Sequence, residues 1–304
     1  MEFAIETFAL KKTFRKVSAV DGLDLDVPQG AIYALVGPNG AGKTTAIKLL
    51  MNILRPTSGT AKVLGQASTQ VAGKSFCSIG YVSENQQLPG WMRVDSFLAY
   101  LRPFYPSWDR DLESELVRKF ELPLNRKLKQ LSRGMRMKAA LASALAFRPK
   151  LIVLDEPLGG LDPLVRDELI EGLLDRAPES TVFISSHDLA EIETFATHVG
   201  YLEQGRLRFS EEMGTLASRF REVELTFDSP PALPSSYPPT WMQVESSGTV
   251  MKFICSGFDE KRTAAEIHQT LAGVREMRFA PMSLRAIFLA MAKSGRKIDR
   301  ASAA

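Results

Sequence analysis

The sequence is poor in cysteine, with only two among its 304 residues. Cys77 and Cys255 lie far apart, and neither belongs to a C-x-x-C pair or has a histidine beside it. This spacing argues against a disulfide framework and against a zinc site built from cysteine. We therefore expect a protein of a reducing compartment.

Long apolar runs are also missing. No segment approaches the roughly 18 apolar residues that a membrane-spanning helix requires, and the most apolar helical stretch, Ala139–Phe147, follows two basic residues closely. The first six residues include Glu2 and Glu6, where a secretory signal would carry basic residues. The sequence taken alone predicts a soluble chain.

A strong excess of either charge is absent as well. The chain has 38 Lys and Arg against 35 Asp and Glu, a formal net charge of +3. So small an excess does not indicate a nucleic-acid or anionic-membrane partner. The apolar and charged fractions, 45% and 24%, are those of a globular protein. The length allows one large domain or two ordinary ones.

Short apolar runs alternate with helical patterns in the first part of the chain. The segments 31–36, 151–154 and 182–184 have the continuous apolar character of buried parallel strands. A helical pattern over 47–53 follows the first strand and stops before Arg55-Pro56. Strands that alternate with helices predict an α/β fold with a mostly parallel sheet.

The chain is divided by two changes of pattern. Residues 92–150 are mainly helical and predict a helical subdomain inserted into a first domain over 1–218. A stretch rich in proline and serine over 228–239 is unsuited to regular structure. Short strand and helix patterns around it predict a small α+β module over 219–292, and the remaining residues, 293–304, are expected to form a disordered tail.

One segment carries a phosphate-binding pattern. Gly37–Thr44 fits G-x-x-x-x-G-K-[ST] at a switch from strand to helix. Glycines let the backbone N–H groups point at phosphate oxygens, and the following helix contributes its N-terminal dipole. Lys43 supplies positive charge for the β- and γ-phosphates, and Thr44 supplies a hydroxyl for Mg²⁺. The segment predicts a nucleoside triphosphate site.

A pair of acidic residues ends the second buried strand. Asp155, beside the phosphate loop, would bind Mg²⁺ directly or through water. Glu156, one residue further, would polarise the attacking water as a general base. The pair would be a weak signal alone, but it is strong beside the phosphate loop.

Further polar motifs follow in a fixed order: Leu131–Met135, Gly160–Asp162 and Ser185–Asp188. The ordered set resembles the nucleotide-binding subunits of ABC transporters over about residues 3–215. The resemblance implies a P-loop NTPase core with a parallel sheet and a helical insertion subdomain, followed here by the small α+β C-terminal module.

The resemblance assigns roles residue by residue. The residues implied to bind ATP are Phe14, Gly37, Pro38, Asn39, Gly40, Ala41, Gly42, Lys43, Thr44, Thr45, Ser132 and Gly134. The residues implied in hydrolysis are Lys43, Glu156 and His187, and those implied to bind Mg²⁺ are Thr44, Asp155 and Glu84. Leu161 and Asp162 match a loop that crosses the dimer interface in the family. For Phe14, a plain core or surface aromatic is the alternative to stacking on adenine.

Two positions depart from the family pattern. In the signature Leu-Ser-Gly-Gly-Gln, Arg133 replaces the first glycine and Met135 the glutamine; Arg133 would either add charge near phosphate or lie solvated. Glu84 takes the place of the usual glutamine of the Q-loop, although a register shift to Gln86 or Gln87 stays open. The segment Leu88–Met92, which touches the membrane partner in the family, is expected to be either exposed or packed through its tryptophan.

These features predict half of an ATP site in each chain, completed head to tail by a second copy. The expected function is an ATPase subunit that binds ATP and Mg²⁺ and drives a separate integral membrane permease, with no nucleic-acid partner, from the cytoplasmic face of the membrane. The segment Pro281–Leu289 resembles the ending of bacterial exporter ATPases and favours export.

Alternatives are a soluble ABC-type ATPase that acts on ribosomes or DNA, and a small-molecule kinase. The C-terminal module would be a dimerisation, regulatory or merely stabilising element.

Overall fold

The computed structural model describes residues 2–175 and 179–291. Internal contacts divide the chain into two units, of which the first ends at Ser210 and the second begins at Glu211. The boundary predicted from the sequence, between residues 218 and 219, falls at the end of helix Met213–Arg219. The predicted disordered tail, 293–304, lies outside the described residues.

The strands up to residue 212 are, in chain order, β1 (Phe3–Phe14), β2 (Val17–Pro28), β3 (Ile32–Val36), β4 (Ser58–Val63), β5 (Gln66–Ala67), β6 (Ile79–Ser83), β7 (Leu151–Asp155), β8 (Thr181–Ser186), β9 (His198–Glu203) and β10 (Arg206–Glu212). The helices are α1 (Lys43–Leu50), α2 (Val94–Leu101), α3 (Arg110–Lys119), α4 (Arg133–Leu145), α5 (Pro163–Leu174) and α6 (Leu189–Ile192). Short 3₁₀ turns lie at Ser68–Gln70, Gly73–Ser78, Arg102–Phe104 and Leu128–Gln130.

A six-stranded sheet with the order β10-β9-β3-β8-β7-β6 forms the centre of the first unit. The pairs β3–β8, β3–β9, β7–β8 and β6–β7 are parallel. Every residue of β3, β7 and β8 is buried, which explains their continuous apolar sequence. The predicted α/β fold with a mostly parallel sheet is confirmed. The carboxyl ends of β3, β8 and β7 meet at one edge, and the sequence motifs follow those ends.

A second sheet, with the order β2-β1-β4-β5, was not predicted from the sequence. Its pairs are antiparallel, and β1 is irregular because its register with β2 shifts between Thr7 and Leu10. Ala9 lies there at a φ of 45°. Such a bulge breaks the strict alternation by which a strand is recognised. Buried residues of this sheet share one hydrophobic core with α1 and the parallel sheet.

Helices α2, α3 and α4 occupy the region predicted to be helical. Asp109 caps α3 by accepting hydrogen bonds from the N–H groups of Asp111 and Leu112. Ser132 caps α4, which is buried along most of its length. Within the described ranges, no helix combines the length and the apolar character needed to cross a bilayer.

The second unit contains α7 (Met213–Arg219), β11 (Arg221–Phe227), β12 (Trp241–Ser247), β13 (Val250–Cys255), α8 (Glu260–Thr270), β14 (Val274–Pro281) and α9 (284–291). The sheet is antiparallel, with the order β12-β13-β11-β14, and encloses its own core. The segment 228–239 has no regular structure, as predicted. Strand β12 was missed because its register breaks between Met242 and Glu245, and Gln243 has a φ of 51°. Cys255 is free and buried in this core.

Candidate functional site

The phosphate loop joins β3 to α1. Two of its glycines occupy positions where a larger residue would be strained or would collide with neighbouring backbone. Gly42 lies at a φ of 108° immediately before α1. A Cβ at Gly42 would stand 2.2 Å from the carbonyl oxygen of Ala19, and one at Gly37 would stand 2.1 Å from that of Leu202. The loop therefore depends on glycine at both positions, and it leads into a helix whose first N–H groups have no partner within the helix.

The Gly42→Ala variant is expected to lose about 2–4 kcal/mol of unfolding free energy and to lose nucleotide binding, because it adds a steric collision to an unfavourable φ. Gly40→Ala is the matched control, since Gly40 has a φ of 81° but no atom within 4 Å of the added Cβ. It should lose only about 1–2 kcal/mol. Chemical denaturation without nucleotide measures both. Equal losses would show that the contact with Ala19 does not matter.

Lys43 is almost completely buried, at 4% exposure, on the first turn of α1. Its ammonium group donates to the carbonyl oxygens of Gly37 at 2.6 Å and Pro38 at 3.3 Å. It also lies 3.0 Å from Oε1 of Glu156. The ammonium is thus held inside the curl of the phosphate loop and beside the acid that follows β7.

Glu156 links Lys43 to His187. Its Oε2 lies 2.8 Å from Nδ1 of His187, in the loop after β8. The backbone of Glu156 has a φ of 52°, a left-handed conformation that costs roughly 1–2 kcal/mol for a residue with a side chain. Strain of this kind is typical of functional positions. Among the three residues predicted to act in hydrolysis, Glu156 therefore contacts both of the others.

Asp155 is buried at the end of β7, with 3% of its surface exposed. Its Oδ1 accepts hydrogen bonds from the hydroxyls of Thr44 at 3.0 Å and Ser185 at 2.9 Å. Burial raises the pKa of this carboxyl group, and the two hydroxyl hydrogen bonds oppose that shift. Ser185 also accepts from the N–H of Glu156 at 3.0 Å. Ser185 belongs to a motif singled out from the sequence, but only His187 of that motif was given a role there.

The oxygen atoms of Asp155 and of its neighbour Thr44 suit a magnesium ion. The Thr44 hydroxyl and the Asp155 carboxylate already touch, and both are hard oxygen ligands of the kind that Mg²⁺ prefers. A cation there would offset the burial of the carboxylate. Within the described residues, no group of three or more His, Cys, Asp or Glu side chains is arranged around one point for a metal ion. Phosphate and water oxygens would therefore supply the remaining ligands, as is usual for Mg²⁺.

The signature residues make contacts away from the phosphate loop. The Ser132 hydroxyl accepts from the N–H of Met135 at 3.2 Å, and a Cβ at Gly134 would stand 2.8 Å from Val165 on α5. In the part of the chain that the structure describes, no hydrogen bond joins Ser132 to the phosphate loop. The contacts of Ser132 and Gly134 therefore lie within α4 and against α5.

Arg133 and Glu84, the two departures from the family pattern, form an ion pair with each other. The guanidinium also donates to the carbonyl oxygen of Gly159 at 2.6 Å. Arg133 is therefore engaged within its own chain, while 44% of its side chain stays exposed. Glu84, predicted as a magnesium ligand, has its N–H bonded to the carbonyl oxygen of Asp155 at 2.9 Å.

Two aromatic residues singled out in the sequence are exposed. Phe14, at the end of β1, is 43% exposed, and the ammonium of Lys12 lies 5.2 Å from its ring centre. Trp91 is 70% exposed, which selects the exposed alternative for the segment 88–92. Neither ring belongs to a hydrophobic core, so both are open to contact with a ligand or partner.

A buried network lies beneath the histidine loop. Glu191, on α6, is 7% exposed and accepts a hydrogen bond from the Ser186 hydroxyl at 3.1 Å. Arg166, on α5, lies 3.1 Å from the same carboxylate. Burial raises the pKa of Glu191, and the charge of Arg166 opposes the shift. The network connects the helix after Asp162 to the residue before His187, and the sequence alone did not indicate it.

Comparison with known proteins finds similar sequences over most of the chain. The model of the family described as "ABC transporter" matches residues 20–159. The daunorubicin/doxorubicin resistance ATP-binding protein DrrA of Streptomyces peucetius is 32% identical over 308 aligned positions, which cover 95% of this chain and 92% of that protein. The bacitracin transport ATP-binding protein BcrA of Enterococcus faecalis is 33% identical over 228 positions, which cover 73% of each.

Solved structures are similar in fold. The dimeric post-hydrolysis state of the ATP-binding cassette MJ0796, bound to ADP and Pi, has a TM-score of 0.62 at 23% identity and covers 69% of this chain and 98% of that one. A structure described as the ATP binding subunit of an ABC transporter has a TM-score of 0.65 at 24% identity, with 71% and 92% covered. At these identities the likeness concerns the fold alone.

Proposed function

Because this chain belongs to the ABC transporter family of ATP-binding proteins, we propose that it is the ATPase subunit of an exporter and drives a separate membrane permease. Members of this family bind and hydrolyse ATP, and the chain is an ABC-type ATPase. We further propose the roles of the site residues, a head-to-tail dimer, export as the direction of transport, and a location on the inner face of the membrane.

The observation that carries the proposed chemistry is the position of the Glu156 carboxylate between Lys43, at 3.0 Å, and His187, at 2.8 Å. Lys43 supplies a desolvated positive charge to the β- and γ-phosphates. Glu156 accepts a proton from the attacking water, and His187 holds the carboxylate in place and reaches toward the γ-phosphate. Thr44 and Asp155 would hold Mg²⁺, which neutralises phosphate charge when bound. Glu84 as a further magnesium ligand stays a prediction.

The second half of each site comes from another copy of the chain. Ser132 and Gly134 lie at the start of α4, where a hydroxyl and the positive end of the helix dipole suit an anion. We therefore infer that the phosphate loop of each chain is covered by the signature of another. Two chains placed head to tail would each cap the other's ATP. ATP then favours the closed dimer because it adds contacts that exist only there, and hydrolysis releases them.

Export is supported by the relatives and by the end of the chain. One relative is named for resistance to daunorubicin and doxorubicin, and the other for bacitracin transport. The alignment with DrrA covers 95% of this chain and so includes much of the second unit. The exporter-like segment Pro281–Leu289 lies in that unit.

The permease is proposed to contact the segment Leu88–Met92 through the exposed side chain of Trp91. Purification of tagged protein from detergent-solubilised membranes should recover a protein with several spanning helices. Trp91→Ala should reduce that recovery about tenfold or more, as expected for a buried interface tryptophan. Phe8→Ala is the control, because Phe8 is 74% exposed on β1. Recovery of ribosomes or DNA in place of a membrane protein would favour the soluble alternative.

A further inference from the structure

Arg133 joins three segments that are distant in sequence. Its guanidinium pairs with Glu84, in the loop after β6, and donates to the carbonyl oxygen of Gly159, in the loop after β7, at 2.6 Å. Arg133 itself is the first residue of α4 and follows the cap Ser132 directly. One side chain thus connects the signature, the Q-loop position and the segment that follows Glu156.

Gly160 leaves the space that this connection requires. Gly160 has a φ of 66°, and a Cβ there would stand 2.8 Å from Nη1 of Arg133. A larger residue at 160 would therefore meet the guanidinium as well as an unfavourable backbone conformation.

Glu84 brings an additional negative charge close to the reacting groups. A Cβ at Gly159 would stand 3.8 Å from Oε1 of Glu84 and 3.9 Å from Cε1 of His187. The N–H of Glu84 is bonded to Asp155. Lys43 pairs with Glu156, whereas Glu84 has Arg133 as its ion-pair partner. Without Arg133, the Glu84 carboxylate would repel the phosphates that the site is built to bind.

The pair is placed for function more than for stability. The side chains of Arg133 and Glu84 are 44% and 34% exposed. Ion pairs with this much solvent contact contribute little to folding because water screens them and both side chains lose freedom. The main effects of the contact are therefore to fix the positions of the two side chains and to neutralise the local charge.

We propose that Arg133 is a positioning residue for ATP hydrolysis: it neutralises Glu84 and holds that carboxylate beside the loop that follows β7. The proposal rests on the ATPase function proposed above. It treats the two departures from the family pattern as one matched pair, in which Arg133 offsets the negative charge that Glu84 brings near the phosphates. Direct action of Arg133 on the partner's phosphates is the competing role.

The test is a double-mutant cycle on the full chain with Arg133→Gln, Glu84→Gln and the double variant. We expect Arg133→Gln to raise the KM for ATP about tenfold, because the Glu84 charge is left unpaired near the phosphates. The double variant should return to within about threefold of the unmodified protein, because neither charge is then left alone. All three should unfold at the temperature of the unmodified protein, as circular dichroism would show.

Arg148→Gln is the matched control. Arg148 is 46% exposed and pairs with Asp109 and Glu179, outside the phosphate site, so its loss should leave the KM unchanged. A double variant as impaired as Arg133→Gln alone would show that Arg133 acts directly on phosphate and would overturn the proposal. Unchanged kinetics in both single variants would overturn it too.

A Lys43→Ala sample in the same assay separates this proposal from the function on which it rests. Loss of activity in that sample together with a failed cycle leaves the ATPase assignment intact and rejects only the role of Arg133. Full activity of Lys43→Ala would reject the proposed ATP site itself.

Discussion

Glu156→Gln is expected to lower the rate of ATP hydrolysis roughly a thousandfold, within the range found for loss of a general base. ATP affinity should change little. Glutamine has nearly the same shape as glutamate. It can still accept a hydrogen bond from Lys43, which lies 3.0 Å from the carboxylate, and can still hydrogen-bond His187. The amide cannot take a proton from water at neutral pH. The loss should therefore appear in kcat.

The measurement is steady-state phosphate release together with equilibrium binding of ATP. Glu171→Gln is the control, since Glu171 is exposed on α5. Turnover that survives in Glu156→Gln would remove Glu156 from the role of base. Equal loss in Glu171→Gln would point to a general effect of the substitution.

Lys43→Ala is expected to weaken ATP binding about a hundredfold. Lys43 is 4% exposed, and its charge acts in a desolvated position where water does not screen it. The substitution also removes the cation beside Glu156. Lys62→Ala, on the exposed side of β4, is the control for loss of a lysine elsewhere. Normal ATP affinity in Lys43→Ala would contradict the phosphate-loop assignment.

A mixture of two inactive variants tests whether the half-sites are shared between chains. Ser132→Arg should be inactive although its own phosphate loop is intact, because the added side chain would block the partner's ATP. In an equal mixture with Lys43→Ala, mixed dimers have one site with an intact loop and an intact signature. Random pairing predicts up to about a quarter of the normal activity. Activity no greater than that of the separate variants would contradict the head-to-tail arrangement.

The local motifs could be read from the sequence because each one is a continuous segment with its own chemistry. The phosphate loop follows a buried strand, and Asp155 and Glu156 end another. Parallel pairing through β8 then brings Lys43, Glu156 and His187 together. The role of His187 was implied by the family resemblance, and the meeting of the carboxyl ends of parallel strands at one edge explains why the three side chains come together.

The remaining contacts depend on tertiary structure. Arg133 and Glu84 are separated by 49 positions in the sequence, and only the packing of α4 beside the loop after β6 brings their charges together. The role of Ser185 depends on the backbone turn at Glu156. The left-handed φ of Glu156 could not be predicted from a sequence pattern. The antiparallel sheet was missed because a bulge near Ala9 interrupts the alternation of β1. In each case long-range packing, and not local preference, decides the structure.

The most direct test of the shared ATP site is the molar mass of Glu156→Gln in solution, measured by light scattering with ATP and separately with ADP. With ATP, this slow variant should have twice the mass of one 33.6 kDa chain, because uncleaved ATP holds two half-sites together. With ADP it should have the mass of a single chain. A single-chain mass in saturating ATP, with ATP shown to be bound, would contradict the account.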